Sequence, residues 1–206
     1  MNFLLEYLMY IYIYLLQIPS AAIMLMITRK VGENRKYDLN KFKWNSVLLF
    51  SVFGAIFSLL FFMFRNGIAN LASIPLDSTI YLTVIFFVGF ISPITKGMFL
   101  GQERIYAFNF IMLFETVLKL IMAVVAIQLG GSVPLLILSN CIPALITTIA
   151  ILPFIKIKGE IAKEKISINY RFLILTTVSL FLMTIPYTLD LILVNPEFRA
   201  QYSGVS

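Results

Sequence analysis

The stretch KGMFLGQERIYAFNFIMLFETVLKLIMAVVAIQL, residues 96–129, decides the fold, because it carries charges into a segment long enough to cross a membrane. It opens polar, with Lys96, Gly97, Gly101, Gln102, Glu103 and Arg104. From Ile105 to Leu129 it runs apolar, with only Glu115 and Lys119 charged. A charge near the bilayer centre costs about 2.5–3.5 kcal/mol on insertion scales, so two of them need a reason. Glu115 and Lys119 stand four apart with the acid first, on one helix face and in the better pairing orientation. They can therefore neutralise one another or line a wet cavity.

Composition agrees with a membrane-embedded chain. Of 206 residues, 60% are hydrophobic and only 13% charged, with a mean hydropathy of +0.94, far outside the soluble range. Cys141 is the only cysteine, so no intrachain disulfide can form. Histidine is absent, which removes the usual base, proton shuttle and zinc ligand. We expect an all-α, polytopic membrane helix bundle forming one domain over residues 1–206.

Six apolar runs are predicted to span: 3–27, 44–64, 79–95, 105–129, 133–155 and 172–194. Each is about 20 residues, enough at 1.5 Å per residue to cross a core of roughly 30 Å. The first lacks the basic leader and cleavage site of a signal peptide and reads as a helix of the mature protein. Tyr7, Tyr10, Tyr14 and Gln17 recur on one of its faces. They suit an interfacial aromatic belt, but Tyr14 and Gln17 sit deep enough to wall a polar cavity on which a sugar could stack. Gly130 and Gly131 end the fourth run as a left-handed stop, with Ser132 as N-cap and Pro134 in the next first turn. The fourth and fifth helices therefore form a hairpin. Asp190 falls about 28 Å along the sixth run from Arg171, near the far interface, where a carboxylate needs no special role.

Thirteen of the sixteen Lys and Arg residues lie after the first, third and fifth runs, and only Arg65 and Arg199 follow the second and sixth. The positive-inside rule then places the basic loops in the cytoplasm and the N-terminus outside, in a plasma membrane. No nucleic-acid partner is expected. Because the chain begins on a helix with its N-terminus outside, and stops after a short loop that reads like the approach to another helix, we expect a fragment or one half of a split protein. Pro19, Pro93, Pro143, Pro153 and Pro186 fall inside apolar runs, where each removes a backbone hydrogen bond and bends its helix. Gly97 and Gly101 have the spacing of a small-residue packing motif but stand at the rim of a run, and read as loop geometry.

Lys96, Gly97, Gly101, Gln102, Glu103, Arg104 and Phe108 resemble the pattern that closes one helix of the polysaccharide exporters. These are the lipid-linked oligosaccharide flippases of the multidrug/oligosaccharidyl-lipid/polysaccharide exporter superfamily. The likeness continues through Glu115, Lys119, Gly130 and Gly131, and resumes at Asp190 to Val194 with Tyr202 and Ser203. Gln201 departs from the family, which often has glycine there. In this register the six runs are similar to helices two through seven of a fourteen-helix protein, most of its N-terminal lobe.

The resemblance implies a flippase that carries a polyprenyl-linked oligosaccharide across the cytoplasmic membrane for polysaccharide biosynthesis, and that is inactive without its missing lobe. The partners implied are membrane lipid, that substrate, and a second lobe or a further copy of the chain. Lys96 and Arg104, with Arg29 and Lys30, would flank the inner mouth where an anionic diphosphate enters, and Lys119 would lie deeper. With Glu115, Tyr14, Gln17 and Asp190 they form the candidate substrate-binding set. No cofactor or metal is expected. Ten acids scattered singly and no histidine argue against an enzyme. The rival reading is a non-transporting membrane scaffold, or the remnant of an exporter gene.

Overall fold

The computed structural model describes residues 16–34, 37–72, 76–155 and 168–184, and every regular element among them is helical. In chain order these are α1 (Ile18–Glu33), α2 (Asn40–Met63), α3 (Arg65–Ala72), α4 (Leu76–Gly101), α5 (Ile105–Gln128) and α6 (Val133–Ile151). A 3-10 turn (Leu152–Phe154) follows α6, and α7 covers Tyr170–Thr184. Among the described residues four helices are long and apolar enough to cross a membrane: Asn40–Met63, Thr79–Gly101, Ile105–Gln128 and Leu135–Phe154. The first and sixth expected runs are described only as Ile18–Glu33 and Tyr170–Thr184. Residues 3–15 of the first and 185–194 of the sixth lie outside the described residues.

Three expected boundaries move, for one reason. A charge ends an apolar run but not a helix, whose backbone hydrogen bonds are indifferent to it. Thus α2 starts at Asn40, with the Asp38 carboxylate accepting from the Asn40 N–H at 2.9 Å, and it takes Lys41 and Lys43 into the helix. The expected polar loop after it begins as α3. And α4 continues to Gly101, so that Lys96 stands inside a helix rather than in a loop at the mouth.

The bundle is organised around α4, which packs against α1, α2 and α6 and touches α3 and α5. Of its apolar window 61% is buried, against 17% for α5. Against α2 the fit is aromatic, with Phe57 stacked on Phe90 at 5.2 Å and Phe61 against Phe86 at 4.7 Å between ring centroids. The hydroxyl of Ser58 also donates to the Thr83 carbonyl at 2.9 Å. Against α1 the contact runs through Gly97 and Gly101. A Cβ at Gly101 would lie 2.5 Å from the Val31 Cβ and 2.7 Å from the Thr28 carbonyl; one at Gly97 would lie 2.7 Å from the Met24 carbonyl. Their expected role as loop geometry is therefore corrected: the two glycines are a helix-packing motif, because α4 outlasts the apolar run that contains them.

Both turns beside α5 close in the same way. The N–H of Gly131 donates to Ala126 and that of Gly130 to Ile127, a paired hydrogen bond that needs a left-handed residue. Gly130 supplies it with φ 109°, as the spacing predicts. At the α4–α5 turn Arg104 donates to Phe99 and Glu103 to Leu100, but the left-handed position, φ 57°, falls to Glu103, where a side chain is strained by about 1–2 kcal/mol. Ser132 has the extended backbone of an N-cap, with Pro134 in the first turn, although its hydroxyl makes no capping hydrogen bond.

Large apolar side chains face outward along α2 and α5, among them Leu48, Leu59, Met63, Phe110, Leu113 and Leu120. That is the reverse of a water-soluble bundle and suits contact with hydrocarbon chains. The buried cluster instead gathers Ile23, Ile27 and Val31 of α1, Phe42 and Phe50 of α2, and Phe90, Ile94 and Met98 of α4.

Lys43 is the charge that the basic-loop reading misplaces. It is 3% exposed, and its ammonium donates to the carbonyls of Leu152 and Ile155 at 3.3 and 2.9 Å, over the face of Trp44. A cation thus caps the C-terminal end of α6 from α2, where the helix dipole is negative. Lys43→Met keeps the stem and takes the ammonium away from both carbonyls, which is expected to cost about 1–3 kcal/mol. The check is the thermal midpoint of the detergent-solubilised protein, with Lys41→Met, in the same turn, as a control that should leave it unchanged.

Candidate functional site

Halfway along α5, about 15 Å from Ile105 by helical rise, Glu115 is 3% exposed. One of its oxygens lies 2.8 Å from the Lys119 ammonium, one turn on. The other lies 2.9 Å from the ammonium of Lys96, which reaches across from α4. The pair expected from spacing is therefore a triad, two lysines on one carboxylate, with an excess positive charge in the middle of a helix of spanning length. Lys96 is the more enclosed lysine: its side chain is 17% exposed against 35% for Lys119.

The triad lines a cavity of about 100 Å³. Two further helices bring polar groups to it, with Gln17 at the N-cap of α1, Ser20 in its first turn, and Asn140 with Cys141 from α6; α4 adds Ser92. The Cys141 thiol donates to the Ile137 carbonyl at 3.2 Å. The arrangement can hold one small anion beside two ammonium groups, or hydrate a polar group halfway along an apolar helix.

The candidates divide accordingly. Lys96, Glu115, Lys119 and Gln17 meet in one cavity. Arg104 does not join them; it is exposed at the N-cap of α5. Tyr14 and Asp190 lie outside the described residues. Arg29 and Lys30, also placed at the mouth, are engaged with Glu33 at 2.6 and 3.7 Å. The donated hydrogen bond from Arg29 holds the Glu33 carboxyl below its ordinary range. Arg29 also lies over the Phe172 ring at 4.7 Å.

Ser20, Ser92, Asn140 and Cys141 escape sequence reasoning, since small polar residues are ordinary in membrane helices. The Lys96–Glu115 contact did leave a signal. Folding α4 and α5 back on the turn at Gln102 and Glu103 sets residue 96 opposite about residue 110, roughly a turn and a half from Glu115 and within reach of a lysine stem. Comparisons with known protein families, with curated proteins and with solved structures found no match for this chain.

Proposed function

We propose that this chain is the membrane-embedded part of a transporter that moves a lipid-linked oligosaccharide across the cytoplasmic membrane, and that it works with a second helical lobe. The observation that carries the reading is the Lys96–Glu115–Lys119 triad in a polar cavity at mid-membrane depth. Ionisable groups within spanning helices mark substrate or ion paths and face a cavity or the bundle interior. An excess of cation suits a phosphate-bearing cargo, and the polar side chains around it suit a hydrated or sugar-bearing one. Six spanning helices, basic loops in the cytoplasm and an exterior N-terminus belong to the same reading, with the resemblance to the polysaccharide exporters in support. Lys96, Lys119 and Glu115 are the residues assigned to the cargo, with Gln17 on the wall.

Alternating access encloses its site between two bundles that rock against one another, and the described helices supply one wall. The 206-residue chain is therefore expected to fail alone in a flippase-deficient strain and to restore surface glycan when co-expressed with a second lobe. Surface-glycan staining in the two strains checks this. Export by the chain alone would replace the half-transporter with a homo-oligomeric carrier. A lack of export with every lobe supplied, at normal membrane abundance, would favour a non-transporting scaffold.

A further inference from the structure

The polar cavity has a neighbour. On the same α4–α6 seam lies a second, larger cavity of about 230 Å³, walled by Val47 and Ser51 of α2, Phe87 of α4, and Leu145 and Ile149 of α6. Val88 and Ser92 belong to both walls. The two spaces differ in kind: one holds three charged groups and several polar ones, the other is nearly all hydrocarbon with a few hydroxyls. They are also close. Ser92 precedes Lys96 by one helical turn, about 6 Å of rise.

We infer that this seam holds one anionic lipid, its phosphate between Lys96 and Lys119 and its hydrocarbon chain in the groove between α2, α4 and α6. The inference rests on the reading of the polar cavity as the seat of a phosphate-bearing lipid, and adds where the chain of that lipid lies. Charge complementarity selects the head: with two ammonium groups on one carboxylate, the cavity is left cationic, and a monoanionic phosphate completes it. Position selects the tail. The groove lies in the spanning part of three helices, and Ile149 on its rim is 66% exposed, so a chain can enter sideways from the bilayer. A soluble anion would use the first space and leave the second unused.

The test uses the full chain in phosphatidylcholine vesicles, with a trace of phosphatidic acid that carries a diazirine in its acyl chain. After illumination, adducts are mapped by mass spectrometry. The expected adducts fall on the groove residues of α2, α4 and α6, about tenfold above those from phosphatidylcholine bearing the same diazirine chain, as one charge-assisted contact implies. Lys96→Gln, which leaves Glu115 paired with Lys119, should lower labelling to the zwitterionic level. Ser51→Trp should block it by filling the groove, whereas Ser51→Ala should not. Equal labelling by the two probes on the unaltered protein, a comparison that needs no variant to fold, would overturn the inference. So would adducts spread over the outward faces of α2 and α5, or displacement by inorganic phosphate as effective as by unlabelled phosphatidic acid. Groove labelling that persists where two-lobe export fails would sink the transport reading and leave the lipid site; export that survives loss of labelling would do the reverse.

Discussion

Glu115→Ala is expected to be the most damaging single change in the bundle. It removes the one carboxylate that both Lys96 and Lys119 hold, at 2.9 and 2.8 Å, and leaves two ammonium groups facing each other in a largely apolar setting. Breaking a buried ion pair from one side typically costs about 3–5 kcal/mol, because the surviving charge is uncompensated, and here two survive. Lys119→Met should cost less, since Lys96 still neutralises the carboxylate. The triple change Lys96→Met, Glu115→Leu, Lys119→Met should restore folding, because buried ionic groups are often matched or bettered by apolar residues of similar volume. The thermal midpoint of each variant in detergent ranks them. If Glu115→Ala were as stable as the triple variant, the charges would already sit in bulk-like water and the cavity would be wider than described. In the two-lobe export assay the triple variant is expected to fold and to lose glycan export. Full export by it would make the triad structural only.

The second large effect is expected at Gly101. Alanine there would set a Cβ 2.5 Å from the Val31 Cβ and 2.7 Å from the Thr28 carbonyl, closer than atoms can approach. Neither neighbour is the far end of a flexible side chain, so α1 and α4 must move apart. Overpacking of this kind costs typically about 1–3 kcal/mol. It would also weaken the Thr28 hydroxyl's contact with the Gly97 carbonyl, already 3.3 Å. Gly67→Ala is the matched control, as nothing lies within 4 Å of its added Cβ and helix propensity favours alanine by about 0.5–1 kcal/mol. A lowered midpoint for Gly101→Ala with an unchanged or raised one for Gly67→Ala is the expected pattern. Equal behaviour would mean that the two helices are not in contact at these glycines.

The legible parts of this chain were those that depend on local spacing. Spanning-length helices followed from apolar runs, because a run of about 20 such residues has few other stable environments. The α5–α6 turn followed from Gly130 and Gly131, because only glycine enters the left-handed region freely. The Glu115–Lys119 contact followed from a four-residue step, because the helix itself brings those side chains together. Helix ends were less legible. Lys43 and Lys96 were read as loop charges from hydropathy, which reports the solvent a side chain prefers, whereas a helix ends where its backbone bonds end.

What the sequence determined alone, then, is an all-helical chain with spanning-length apolar helices and a paired charge in the middle of one. The tertiary structure decided that Lys96 completes that pair as a triad, that Lys43 caps α6 from α2, and that Gly97 and Gly101 seat α1 on α4. It also decided that Gln17, Ser20, Ser92 and Asn140 share one cavity. Each of these contacts joins residues that no helical period relates. They exist because α4, with neighbours on several sides, is the helix through which the others meet, and packing of that kind is a property of the assembled surfaces rather than of any one run.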